Sequence, residues 1–253
     1  MKRVLLGVLL AVLGASYSAF AITVTLEGNN SVAGGYNGYG PYQTGVGGEF
    51  TFRIDAADAG LLSGYSTAAS SQTENFVSGP SFQTFCVEGP EYIYPNATYT
   101  VQLNHITQYG NVPLTRGAAW LYSQFAQGIL GGYNYTGNRE ATAGLLQNAI
   151  WAFMGQEGQV MDLTNPFEAA AAAAIGQAAL DSVAAVGEYG VYVLNLWDTT
   201  TNPGRTNPAQ DQLIYAPQVN PNSVGVPDGG TTAMLLGIAF AGTAFVSRKI
   251  RRF

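Results

Sequence analysis

Both lysines and all but four of the arginines in this 253-residue chain stand at its two ends, each group beside an apolar run. The ends are therefore patterned for a membrane, and only the middle is left to form an independent fold. Lys2 and Arg3 precede an apolar stretch over 4–13, and small residues then lead to Ala19-Phe20-Ala21, which has the A-x-A form of a signal peptidase site. Cleavage after Ala21 makes 1–21 a signal peptide, with its helix removed on export. At the other end, the 17 residues 231–247 carry no charge, near the lower limit for a bilayer-spanning helix. Arg248, Lys249, Arg251 and Arg252 follow as a basic stop. Positive-inside logic keeps that cluster cytoplasmic and sends 22–223 across the membrane.

All 16 acids lie between these ends, against Arg53, Arg116, Arg139 and Arg205, so the middle carries a net charge of −12 and no lysine. Such a body is a poor partner for nucleic acid, whose phosphates call for Lys and Arg. The acids are scattered, His105 is the single histidine, and no D-x-D-x-D-G loop occurs, so neither a metal nor a cofactor is expected.

Val226-Pro227-Asp228-Gly229-Gly230, a short apolar helix and the closing Arg248-Lys249-Ile250-Arg251-Arg252 occur in that order. Together they resemble a sorting tail of the PEP-CTERM type, covering 226–253 of the segment 224–253. The resemblance implies an exosortase-like membrane sorting protein as partner. It also implies a C-terminal helix, over 231–247, that anchors the protein transiently or permanently, and a destination at the cell surface or outside it.

The exported segment, 22–223, is long enough for one sizeable core. Residues 28–48 are rich in Gly, Tyr and Asn, a composition that predicts a long exposed loop. Alternating β-branched and aromatic residues predict strands over 22–26, 50–54, 82–87, 99–103, 191–196 and 213–215. Apolar residues at steps of three and four predict helices over 114–129 and 140–154. A third helix is predicted from Asn165 as cap, with Pro166 in its first position and Glu168 reaching back to the cap, until Gly187 ends it. The order strands, helices, strands predicts an α+β domain, an antiparallel β-sandwich or barrel with an insertion of about three helices.

Two residues carry the chemistry. Cys86 is the one cysteine, so an exported chain gives it no internal disulfide partner, and Gly89-Pro90 breaks its strand soon after it. Gly144, Gln147, Trp151 and Met154 share one stripe of the second helix, with Gln147 its one polar side chain. An inert core thiol and a glutamine bonded to backbone would account for both residues. Phe85-Cys86-Val87 on a strand and Gln147-Asn148-Ala149-Ile150-Trp151 on a helix, with 61 residues between the partners, resemble the thioester (TQXA) domain of bacterial surface adhesins. Leu146 stands where that family often has threonine. The resemblance implies a Cys86–Gln147 internal thioester supported by Phe85, Val87, Ala149 and Trp151. It further implies His105 as an assisting base and covalent attachment to an amine-bearing extracellular protein or glycan, a single capture and not enzymatic turnover. The alternatives are a non-covalent matrix or glycan-associated surface protein and a Cys-dependent hydrolase, although no Gly-flanked nucleophile signature surrounds Cys86.

Overall fold

The computed structural model describes residues 22–28, 42, 47–66, 79–137, 139–198 and 207–221. The predicted signal helix and cleavage site at Ala19 and Ala21 lie outside the described residues. So do the motif Val226 to Gly230, the helix 231–247 and the stop at Arg248, Lys249, Arg251 and Arg252. No helix among the described residues is long and apolar enough to cross a membrane.

Six strands form one antiparallel sheet: β1 (Ile22–Leu26), β2 (Phe50–Ile54), β3 (Ser81–Thr84), β4 (Thr98–Asn104), β5 (Val191–Asp198) and β6 (Pro208–Tyr215), in the spatial order β3-β2-β1-β4-β5-β6. The α+β class holds, and of the predicted sandwich or barrel the sandwich is not found, since the described residues contain one sheet. Its edges come together where the chain leaves β3. Val87 N–H donates to Asp211 O at 3.0 Å, Leu213 N–H donates to Phe85 O at 3.2 Å, and Cys86 bridges Gln212. The strand predicted over 82–87 thus divides, pairing with β2 up to Thr84 and with β6 beyond it. Burial of both edges satisfies backbone groups that an open sheet would leave for other chains.

Three α-helices lie between β4 and β5: α1 (Arg116–Ala126), α2 (Arg139–Phe153) and α3 (Pro166–Ile175). Thr115 caps α1 by accepting from Ala118 N–H, so the helix starts two residues later than periodicity predicts. Asn165 caps α3 as expected, accepting from Phe167 N–H at 3.0 Å. Two expectations for α3 fail. Gly176, at φ 84°, ends the helix eleven residues before Gly187, because glycine takes that conformation at no steric cost. The Glu168 carboxylate accepts from Asp162 N–H at 2.5 Å, and the cap's own N–H goes to Asp162 O at 2.8 Å.

Alternation along the strands divides the interior in two. Phe85, Val87, Val191, Val193, Leu213 and Tyr215 pack with α1, α2 and α3. Cys86, Tyr192, Leu194 and Ile214 face the other way, into a core shared with Phe52, Phe82, Tyr99 and Trp151. The close packing of α1 shows at Gly117, where a Cβ would stand 2.6 Å from the Phe153 ring and 2.7 Å from Leu180 O.

The strand predicted over 213–215 begins five residues earlier, at Pro208. Its added residues Gln210, Asp211 and Gln212 are polar yet buried, at 7%, 0% and 0% exposure. Gln210 Nε2 donates to Glu88 O at 2.8 Å, while Asp211 accepts from Gln108, Asn195 and Leu196 N–H groups. A bulge between Leu194 and Leu196 turns Asn195 toward Asp211.

The 28–48 segment is described at Gly28, Tyr42, Gly47 and Gly48 only. There it departs from the predicted exposed loop, since Tyr42 is 5% exposed and Gly48 is buried.

Candidate functional site

Alternation turns Cys86 away from Phe85 and Val87, toward the core that receives Trp151 from α2. One turn before Trp151, Gln147 sits on the same face of the helix and is 1% exposed, as is Cys86. Cys86 Sγ lies 3.3 Å from Gln147 Oε1. The glutamine is clamped against the cysteine's backbone as well: its Nε2 donates to Cys86 O at 2.8 Å, and its Oε1 accepts from Cys86 N–H at 3.2 Å. A third donor, Gly48 N–H, reaches the same Oε1 at 3.4 Å.

This glutamine therefore has both ends of its amide engaged, as a buried amide must to avoid losing about 1–3 kcal/mol per unpaired group. Two backbone N–H groups and a thiol converge on the one carbonyl oxygen. Donors so placed polarise the carbonyl and stabilise negative charge that grows on the oxygen when a nucleophile adds to the carbon. The nucleophile at hand is Cys86. Burial pushes its thiol well above the ordinary range, and the Glu88 carboxylate adds to that; its own N–H and the Trp151 indole N–H act the other way. The thiol is accordingly neutral at rest. The Trp151 indole N–H has no well-formed hydrogen bond among the described residues.

Gly48 is held in place from its C-terminal side. Glu49, 1% exposed, meets Arg139 in a two-point ion pair, with Nε to Oε2 at 2.6 Å and Nη2 to Oε1 at 2.7 Å. Arg139 is the first residue of α2 and stands two turns before Gln147, hence on the same face. Its guanidinium also lies 4.3 Å from the centre of the Tyr42 ring. The opposed charge of Glu49 outweighs burial and holds Arg139 protonated. One helix thus carries both the glutamine and the anchor for the loop that covers it. A signal for this anchor lies in the helix itself, where Arg139 is the one cation among nearly uncharged residues.

Of the predicted supporting residues, Phe85, Val87 and Ala149 are fully buried and Trp151 is 9% exposed. Phe85 stands edge-on to Phe125 at 5.0 Å, so its ring packs in the helical core while Cys86 faces the other one. His105 falls elsewhere. It follows β4, its carbonyl accepts from Leu114 N–H at 2.8 Å, and it is absent from the hydrogen-bond partners and charge neighbours of Cys86 and Gln147. The structure therefore brings no histidine to Cys86 for base assistance or for a Cys-dependent hydrolase. No cluster of three or more His, Cys, Asp or Glu able to hold a metal occurs among the described residues.

Among protein families, the VPDSG-CTERM motif matches residues 225–250. Neither a curated protein nor a solved structure matches the chain. The match is confined to the tail and marks it as a C-terminal sorting signal of the PEP-CTERM type, with Gly229 where the motif's name has serine. Such a signal points to an exported protein directed to the cell surface and, in general terms, to a membrane sorting machinery that reads it.

Proposed function

We propose that the exported body carries an internal thioester between Cys86 and Gln147 and uses it to attach the protein covalently to an amine-bearing partner outside the cell. An exosortase-like membrane protein handles the tail. The observation that carries this reading is the clamped amide, with Sγ 3.3 Å from Gln147 Oε1 and two backbone N–H groups directed at that oxygen. In formation, the sulfur adds to the Gln147 Cδ carbon, the C–N bond breaks, and ammonia leaves with the thiol proton. In capture, an amine adds to the same carbon, the C–S bond breaks, and an amide and the free Cys86 thiol remain. Each molecule reacts once, so this is capture and not turnover. Burial of both partners keeps water from the acyl group, and the absence of lysine between Arg3 and Arg248 removes an internal competitor.

The test is the intact mass of purified mature protein. The thioester lowers it by about 17 Da, the mass of ammonia, and methylamine then adds once, at Gln147, while exposing one titratable thiol. Cys86→Ala should show full mass and no adduct. Wild-type protein with full mass, a free thiol and no adduct would leave a non-covalent, matrix or glycan-associated surface protein as the reading.

A further inference from the structure

In capture the amide clamp serves the acyl oxygen, and the departing sulfur needs a donor of its own. When an amine displaces Cys86 from the acyl carbon, an electron pair stays on a sulfur that belongs to a residue 1% exposed. The charged group that acts on this sulfur is the Glu88 carboxylate, which opposes a thiolate. The Cys86 N–H is near but is directed at Gln147 Oε1, at 3.2 Å, where negative charge gathers first.

The Trp151 indole N–H remains. Trp151 stands one turn after Gln147 on α2, is 9% exposed and shares a core with Cys86. Its Nε1 is out of water and makes no well-formed hydrogen bond among the described residues, whereas a buried indole N–H ordinarily finds a partner. It is close enough to the Cys86 sulfur to act on the thiol, favouring the ionised form against burial. Gly47 backs the far edge of the ring, where a Cβ would stand 2.8 Å from Cη2 and 3.3 Å from Cζ2, so the indole has little room to turn away.

We propose that Trp151 is a catalytic residue of the capture step, its indole N–H donating to the Cys86 sulfur as the C–S bond breaks. A neutral sulfur is a weak acceptor and a thiolate a strong one. The N–H is therefore poorly satisfied at rest and well satisfied as sulfur departs, and an interaction that strengthens in this way speeds a reaction. Atoms balance: the amine nitrogen bonds to Gln147 Cδ, the C–S electron pair goes to sulfur, and the proton that the amine loses ends on the thiol. The role in capture rests on the thioester reading; the contact between indole and sulfur does not.

Trp151→Phe keeps an aromatic ring and removes the N–H. In mature protein that has lost ammonia, it should slow methylamine capture, followed by intact mass, about tenfold or more. A second readout needs no loaded variant and would not move for a ring that merely packs. Isotope-labelled wild-type protein carries three indole N–H groups, those of Trp120, Trp151 and Trp197, and the resonance missing from Trp151→Phe belongs to Trp151. That proton should move downfield when methylamine frees the thiol, a better acceptor than an acylated sulfur, and should lie upfield of wild type in Cys86→Ala. The proposal is overturned if Trp151→Phe captures methylamine at the wild-type rate, or if the Trp151 indole proton keeps its position through both changes. An ammonia deficit in wild type with either of these results removes this role alone. Full wild-type mass with no adduct removes the thioester, and the capture role with it.

Discussion

Gly47 lies directly against Gln147: a Cβ on Gly47 would stand 2.8 Å from Cγ of Gln147 and 2.8 Å from Cη2 of Trp151. Its φ of +98° adds a second barrier to any side chain. Gly47→Ala should therefore displace the glutamine or the loop, lowering stability by about 1–3 kcal/mol. Gly131→Ala, with nothing within 4 Å of the added carbon, should stay within about 0.5 kcal/mol of wild type. Urea midpoints of the two variants check this, and equal midpoints would contradict the close approach.

Arg139 and Glu49 form a pair in which removal of one partner strands the other. Their side chains are 3% and 0% exposed, so Arg139→Met should leave an unpaired buried carboxylate and cost about 3–5 kcal/mol. Replacing both, as Arg139→Met with Glu49→Leu, should recover much of that loss. The cycle also reports on the site, since Glu49 fixes Gly48. The single variant should slow any gain of the methylamine adduct, and wild-type stability in the single variant would refute the role of the pair.

Acidity should stabilise this protein across the neutral range. Burial pushes the Glu88 carboxyl up to about 8 and that of Asp211 up to about 7, and the nearby Asp211 charge adds to the shift at Glu88. These folded values exceed those of free carboxylates, so the folded state holds more protons between them. The resulting stability is complete below the unfolded values and is lost as pH rises through the folded ones. Urea midpoints should fall from pH 5 to pH 8.5, and Glu88→Gln should flatten that slope even if it lowers the whole curve. A rise in stability over this interval would contradict the burial of ionisable carboxyls at the β3–β6 seam.

A sorting tail should be absent from the finished product. Peptide mapping of surface protein from the native host should start at Ile22 and lack peptides containing Arg248 to Phe253. Recovery of those C-terminal peptides from mature surface protein would replace processing with a permanent anchor.

Much of the site was legible because its signals are local. The lone cysteine on an aromatic and aliphatic strand, and one glutamine on an otherwise apolar helical stripe, follow from alternation and from the 3.6-residue repeat. Strand β1 and strand β2 were found to the residue for the same reason. The tail was legible too, as three chemical segments in order.

The first part of strand β6 was hidden because Gln210, Asp211 and Gln212 are polar, and only the fold brings Glu88, Gln108 and Asn195 to them as partners. Likewise, Gly48 looked like part of an exposed loop, although its N–H reaches a glutamine 99 positions away. Glu49 and Arg139 are 90 positions apart, and no periodicity links them.

By itself the sequence determined most of the strands and helices, the sorting motif of the tail, and which cysteine and glutamine stand on facing elements. Tertiary structure alone decided that the described residues form one sheet with its edges joined, that Gln147 lies on Cys86, and that Gly48 supplies another donor. The physical reason is that patterning encodes each residue's preferred surroundings along its own element, whereas partners for buried polar groups come from remote parts of the chain.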